Sequence, residues 1–161
     1  MLLLLSNPNF HIQNIYFLEK KINMIMEGFF TKLIFTTPFM TMNGLFLQFP
    51  IQPSVINHFL QFDTMSHKDI IYRLSLIEKQ LIQYYFMFYG INKTPVYTLK
   101  NQLQKGSIKY YRDTCSTPYI SAQGEFTEVR NRMNFYIKIS GIWENQYEAG
   151  ITFKIIEYGR I

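Results

Sequence analysis

The strongest pattern in the chain is an alternation of apolar and polar side chains, which is typical of half-buried β-strands. The predicted strands are residues 29–37, 45–52, 107–112, 134–140 and 151–158. Pro50 favours an edge position for the second of these strands. Turn residues at 42–44 predict that the first two strands form a hairpin. Gly141 predicts a bulge or a bend just before Trp143.

From Ser66 the apolar side chains recur every three or four residues until Gly90, which predicts one long helix. Ser66 is the predicted N-cap, because an acid, Asp69, follows three residues later. The apolar face is expected to consist of Ile71, Leu74, Ile77, Leu81, Tyr84 and Phe88. Two shorter helices are expected, at residues 53–62 and 96–104.

The order of the elements is strands, then a helix, then strands, which predicts an α+β fold that is mostly β. A chain of 161 residues has the length of one domain with its own hydrophobic core. We expect that domain over residues 24–161 and treat residues 1–23 as a candidate N-terminal extension. A short leading helix over residues 12–22 is the alternative for that segment.

Composition excludes several classes of protein. Apolar residues make up 48% of the chain and aromatic residues 17%, unlike a disordered segment. No apolar run approaches the roughly 20 residues of a membrane span, so no membrane partner is expected. The single cysteine, Cys115, excludes an intrachain disulfide and favours a reducing, intracellular setting.

Patterns that indicate catalysis or metal binding are missing from the sequence. The three histidines are scattered, and no Cys/His or carboxylate cluster has the spacing of a metal site. There is also no phosphate-binding glycine loop and no catalytic serine motif. The glutamates at 125 and 128, or at 144 and 148, could form an acid-base pair, but solvated turn charges explain them better. We therefore expect no enzyme, no metal and no cofactor.

Positive charge and aromatic rings are concentrated in one part of the chain. The net charge is +5, and residues 100–138 hold nearly half of the Lys and Arg, interleaved with Tyr and Phe. Such mixtures bind single-stranded nucleic acid, because cations contact phosphates while flat rings stack on any base. The predicted phosphate contacts are Lys109, Arg112, Arg130, Arg132, Lys138 and Lys154. The predicted stacking residues are Tyr111, Tyr136 and Trp143.

The outward sides of the last two strands are expected to bring some of these groups together. If the strands pair through the turn at residues 144–148, Tyr136 and Lys138 lie beside Thr152 and Lys154. Trp143 either stacks on a base or fills the interior of the fold. The alternative for each residue taken singly is structural, because tyrosines commonly bury their rings and lysines solvate a surface.

Two segments carry a resemblance to a known family. NKTPVYTLKNQLQKGSIKYY (92–111) and ISGIWENQYEAGITFKIIE (139–157) are similar to parts of small single-stranded DNA-binding proteins of large eukaryotic DNA viruses. TTPFM (36–40) is a weaker match to their first strand. The resemblance spans about residues 34–158, and its best element is Gly-Ile-Trp followed by Gly-Ile-Thr at hairpin distance.

This resemblance implies an OB-like, five-stranded, partly open barrel with one long helix inserted between strands. It places Trp143 and Gly150 at structural positions and the basic and aromatic strand faces at the DNA. The glutamates of the intervening turn and residues 1–23 have no counterpart in that assignment.

The sequence therefore predicts a non-catalytic protein that binds single-stranded nucleic acid, with DNA favoured, in viral DNA replication, repair or recombination. The expected location is the host cytoplasm, in the viral factory, or the nucleus. The alternative is a non-enzymatic structural or protein-interaction module, such as a virion component. Self-association is an additional expectation.

Overall fold

The computed structural model describes residues 10–112 and 133–158. Within these residues there are ten β-strands, two α-helices and one 3₁₀ turn at Ile12–Asn14. The strands are β1 (Ile15–Ile22), β2 (Phe29–Thr37), β3 (Met40–Met42), β4 (Leu45–Phe49), β5 (Ser54–Ile56), β6 (Phe59–Gln61), β7 (Thr94–Val96), β8 (Ser107–Arg112), β9 (Asn134–Glu144) and β10 (Glu148–Tyr158). The helices are α1 (Lys68–Tyr89) and α2 (Thr98–Lys105).

β9 is the centre of the sheet. One edge of β9 pairs with β10 along an antiparallel hairpin. Its other edge pairs with β2 over residues 141–144 and with β4 over residues 135–139. Beyond β10 the sheet continues through β8, β6 and β5, and beyond β2 it ends at β1. β7 and β8 run parallel to β10, and the other described pairs are antiparallel.

The predicted α+β fold, which is mostly β, is confirmed, but the predicted five-stranded barrel is not observed. Ten strands are described rather than five, and the sheet does not close into a barrel. β1 and β5 lie at opposite ends of the strand order and do not pair with each other. Five strands that the sequence pattern did not predict, at residues 15–22, 40–42, 54–56, 59–61 and 94–96, extend the sheet.

The late hairpin is confirmed together with its bulge. β9 and β10 pair from Glu144 opposite Ala149 to Asn134 opposite Tyr158, and the register shifts between Thr152 and Phe153. Gly141 pairs with Thr152, and Ile139 pairs with Phe153, so Ser140 is the extra residue.

The predicted hairpin between residues 29–37 and 45–52 is wrong. β2 turns back on β3, with Phe35 opposite Met42, whereas β4 pairs with β9. Gly44 has a φ of +117°, and a Cβ there would be 2.9 Å from the carbonyl oxygen of Ile139. The chain therefore turns at this glycine and lies directly against β9. β4 pairs only with β9 among the described strands, which agrees with the edge position that Pro50 indicates.

The long helix is confirmed over Lys68–Tyr89, and it ends at Gly90 with a φ of 61°. Its N-cap is His67 rather than Ser66. Ser66 instead donates to the Asp63 carboxylate, whose pKa these hydrogen bonds lower. The predicted apolar face is right through Leu81, partly right at Tyr84 and wrong at Phe88.

At the end of α1 the chosen apolar spacing drifts away from the helical period of 3.6 residues. Tyr84 is only half-buried, and Phe88 is exposed. Ile82 and Tyr85 take the buried positions instead.

Two further helix predictions had different outcomes. The short helix expected at residues 96–104 is confirmed as α2. The helix expected at residues 53–62 is wrong, because this segment forms the hairpin of β5 and β6. Asn57 and His58 have positive φ values of 48° and 65°, the backbone conformation of a tight two-residue hairpin turn.

The leading helix considered for residues 12–22 is also wrong. A single 3₁₀ turn is followed by β1, which pairs with β2 through Ile15 opposite Phe35 and Phe17 opposite Leu33. Lys20 reaches from β1 to the buried Glu144 at the end of β9, with 2.5 Å between the ammonium nitrogen and the carboxylate. Residues 15–22 are therefore a strand of the sheet.

A carboxylate from α1 holds the start of α2. Glu78 is fully buried and accepts hydrogen bonds from the backbone N–H of Leu99 at 3.0 Å and of Lys100 at 2.8 Å. The first turn of a helix leaves such donors free, and the N-cap, Tyr97, makes no side-chain hydrogen bond. Burial raises the pKa of Glu78, against the opposing effect of these two N–H groups and the Lys100 charge.

Replacing Glu78 with Ala is expected to lower the free energy of unfolding by about 1 to 3 kcal/mol, because buried N–H donors lose their acceptor. Glu78→Gln keeps one acceptor and removes the buried charge. Since the pKa of Glu78 is raised on folding, its favourable contribution is complete below the ordinary Glu pKa and is lost as pH rises through the folded pKa. As pH rises from the ordinary Glu pKa through the folded pKa, the Gln variant should therefore become more stable relative to the wild type, as measured by urea unfolding.

Glu19→Gln is the control, because it removes one negative charge from an exposed position of β1. It shows the effect of losing one surface charge, with which the pH dependence of Glu78→Gln is compared. A Glu78→Gln variant that behaves in the same way contradicts the assignment of a raised pKa to Glu78.

Candidate nucleic-acid interface

The outer face is the side of the sheet that β4, β8, β9 and β10 turn away from the core. Alternation in β9 and β10 buries Ile137, Ile139 and Ile155 and turns the intervening side chains outward. The side chains on the outer face that bear on function are Phe46, Lys109, Tyr111, Tyr136, Lys138, Trp143, Thr152 and Lys154.

The lysine cluster on the outer face consists of Lys109, Lys138 and Lys154. Lys138 of β9 is directly opposite Lys154 of β10. β8 runs parallel to β10 with Tyr110 opposite Ile155, so Lys109 lies beside Lys154. Like charges in adjacent positions repel one another, and that repulsion makes the outer face favourable for an anion.

Tyr111 is the most accessible ring among these lysines. Its side chain is 43% exposed. The ammonium nitrogens of Lys109 and Lys154 lie 5.4 Å and 5.2 Å from its ring centroid. An exposed ring flanked by two cations can stack on a base while the cations contact the adjoining phosphates.

Tyr136 lies on the predicted face but is not accessible for stacking. Its side chain is only 5% exposed. The ring packs against Phe46, with 5.9 Å between centroids, and against Tyr158 at 5.7 Å. The prediction that Tyr136 stacks on a base therefore needs correction, since these neighbouring rings cover it.

Trp143 is half-buried beside a surface groove of about 350 Å³. Lys109, Tyr111 and Lys154 also line this groove, so it joins the indole to the lysine cluster. The indole also lies against Gly150, where a Cβ would come within 2.9 Å of it. Trp143 thus has one side packed on the sheet and another at the groove.

Arg112, the one predicted arginine that the structure describes, does not join the cluster. Arg112 alternates with Tyr111 along β8 and forms an ion pair with Glu157, with 3.3 Å between the charged atoms. A hydrogen bond with Tyr110, together with the charges of Tyr110 and Glu157, raises the pKa of Arg112. Arg130 and Arg132 lie outside the described residues, as do Cys115 and the glutamates at 125 and 128.

Phe46 was missed as a member of the site. The Lys138 ammonium lies 5.3 Å from its ring centroid, so Phe46 holds that lysine at the side of the cluster away from Tyr111. Alternation in residues 45–52 correctly separates Phe46 from the core positions. The pairing of β4 with β9 was the missing information, because it alone brings Phe46 beside Lys138.

The other unusual titratable groups lie away from the outer face and are structural. Glu144 is 3% exposed and pairs with Lys20, while Lys93 lies 3.4 Å from its other oxygen. Burial lowers the pKa of Lys20, but the hydrogen bond with Glu144 and the nearby negative groups outweigh it, so the pKa is raised. Burial raises the pKa of Tyr85, whose hydroxyl bonds Thr31 at 3.0 Å.

The described residues contain no group of three or more His, Cys, Asp or Glu that could hold a metal ion. None of the helices they form is long and apolar enough to cross a membrane. The sole acid on the outward positions of β8, β9 and β10 is Glu148, at the turn end of the hairpin. Among the described residues of these three strands, no carboxylate therefore lies close to the lysine cluster on its own face.

No protein-family model, curated protein or solved structure matches this chain. A functional proposal therefore depends on the chemistry and geometry of the chain itself.

Gly150→Ala is expected to lower the free energy of unfolding by about 1 to 3 kcal/mol, because the added methyl group overlaps the indole of Trp143 and the carbonyl oxygen of Val96. The displaced indole should change its fluorescence emission, which reports on this site alone because the chain has one tryptophan.

Gly90→Ala is the matched control. Nothing lies within 4 Å of a Cβ at Gly90, although its φ of +61° makes alanine unfavourable. This variant should lose stability without any change in Trp143 emission. Equal emission from both variants would argue against contact between the indole and Gly150.

Proposed function

We propose that this protein binds single-stranded nucleic acid, with DNA favoured, on the outer face. The observation that carries the proposal is the exposed Tyr111 ring between the Lys109 and Lys154 ammonium groups. The ring stacks on a base, and the two lysines contact the phosphates on either side of it. Lys138 extends the line of positive charge across β9.

In this proposal, binding does not depend on the base sequence of the nucleic acid. Stacking uses the face that every base has, and lysine contacts phosphate as a point charge. Trp143 is a second stacking group at the groove, where its half-buried indole adjoins Lys109 and Lys154. An exposed ring such as Tyr111 can stack on the free base of a single strand, whereas the bases of a duplex are already stacked on each other.

The proposal includes an OB-like use of the sheet, in which a strand surface carries the nucleic acid, as the sequence resemblance to viral single-stranded DNA-binding proteins implies. We extend the proposal to DNA replication, repair or recombination in the host cytoplasm or nucleus. The protein is non-catalytic in this proposal and works through binding alone.

Tyr111→Ala should weaken binding of fluorescein-labelled oligo-dT by about 5- to 100-fold, the value of one stacked base. Binding is measured by fluorescence anisotropy at fixed salt. Tyr72→Ala is the matched control, because Tyr72 is 69% exposed but lies on α1, away from the outer face. Equal affinities for the two variants would remove the central support for the proposal.

Binding should also weaken as salt rises, since each phosphate contact releases a counterion. Replacing Lys109, Lys138 or Lys154 with Gln should each reduce the slope of log K against log salt by about 0.7. Lys21→Gln on β1 is the control for loss of charge elsewhere and should leave the slope unchanged. A wild-type affinity that does not vary with salt would refute electrostatic binding.

A structural or protein-interaction role, such as that of a virion component, is the second candidate. The turn between β1 and β2 favours it, because Met24 and Ile25 are almost fully exposed there. Large apolar side chains in water are typical of an association surface. Self-association without quenching of Trp143 emission by oligo-dT would favour this role over nucleic-acid binding.

A further inference from the structure

A second groove lies between α1 and α2, which we call the helix groove. It consists of two neighbouring depressions of about 290 and 300 Å³ that share Tyr72, Ser75 and Lys100. The first also contacts Lys68 and the second Lys79, so they follow each other along α1. Lys68, Tyr72, Ser75 and Lys79 are three or four residues apart, so they share one side of α1.

The charge of the helix groove has one sign. Lys68, Lys79 and Lys100 line it, and no described Asp or Glu does. Lys68 and Lys79 form no ion pair within the described residues. Lys100 acts on the buried Glu78 of α1, yet its own side chain lies at the groove, 5.9 Å from the ring of Tyr97.

Apolar side chains are exposed between these lysines. Tyr72 is 69% exposed, and Met65 and Leu76 are exposed beside it. Two aliphatic side chains and a phenol ring provide anchor positions for apolar groups of a partner. Nucleic acid offers bases and phosphates, and it gains little from aliphatic contacts of this kind.

We propose that the helix groove binds an acidic amphipathic segment of another protein. Carboxylates of the segment contact Lys68, Lys79 and Lys100. Its aliphatic or aromatic side chains, spaced three or four residues apart, occupy the two depressions. An acidic segment with apolar side chains complements both the lysines and the exposed apolar residues of the groove. Nucleic acid lacks the aliphatic groups, and a second copy of this basic chain lacks the negative charge.

The helix groove is separate from the outer face. Lys100 and Gln104 of α2, with the N-cap Tyr97, border the helix groove, while Thr98 and Gln102 border the groove beside Trp143. Leu99 and Leu103 are buried between these two sides. The protein can therefore hold a nucleic acid strand and an acidic partner at once.

The test uses the full chain and a fluorescein-labelled peptide built of Glu and Asp, with Phe and Leu at i and i+4 spacing. Anisotropy should show saturable binding, and Lys79→Glu and Tyr72→Ala should each weaken it by about tenfold or more. The matched variants Lys21→Glu and Tyr111→Ala, on β1 and β8, should bind the peptide like the wild type.

Two further measurements decide what occupies the groove. A peptide with the same Phe and Leu but Gln in place of its acids should not bind, and at about 0.15 M salt saturating oligo-dT should not displace the acidic peptide. Displacement by oligo-dT that depends on Lys79 would assign the groove to nucleic acid and overturn the proposal. No peptide binding, or binding that ignores Lys79→Glu and Tyr72→Ala, would also overturn it, whatever the result of the oligo-dT titrations.

Discussion

The pairing register of β9 and β10 is the constraint on which the outer face depends. A slip of one residue would turn Lys138 into the core and Ile137 into water, so burial of the isoleucines fixes where the lysines lie. The bulge at Ser140 changes the alternation once, which returns Trp143 to the same face as Lys138. Gly141 is required there, because a Cβ would be 2.3 Å from the carbonyl oxygen of Thr31.

Local patterns predicted the parts of the fold that depend on local contacts. Alternation in the last two strands identified their faces correctly, and a short turn between them left one simple pairing, so Lys138 and Lys154 could be placed side by side. The long helix was predicted because a period near 3.6 persists over many turns and a glycine ends it. The same alternation along β8 puts Lys109 and Tyr111 on one side of that strand.

Several predictions failed because they depend on contacts between distant segments, whereas the wrong helix at residues 53–62 failed over a local hairpin. The alternation of β4 shows which side is apolar but does not show that its partner is β9. Tyr136 is covered by Phe46 and Tyr158, and neither neighbour can be inferred from its own strand. Glu78 occurs in the middle of a helix, where an acid is ordinarily solvated, and its role as a cap exists only because α2 begins beside it.

α2 borders two positively charged surfaces, the outer face and the helix groove, and Glu78 holds its first turn by hydrogen bonds. The sheet forms the base of the outer face, whereas α1 forms the base of the helix groove. Contacts on one side of α2 therefore leave the lining of the other unchanged, whereas the electric field of the lysines extends to both. That field is screened beyond about 10 Å at 0.1 M salt. Two anionic ligands should thus oppose each other at low ionic strength and bind independently near physiological salt, which separates electrostatic competition from overlap of the two sites.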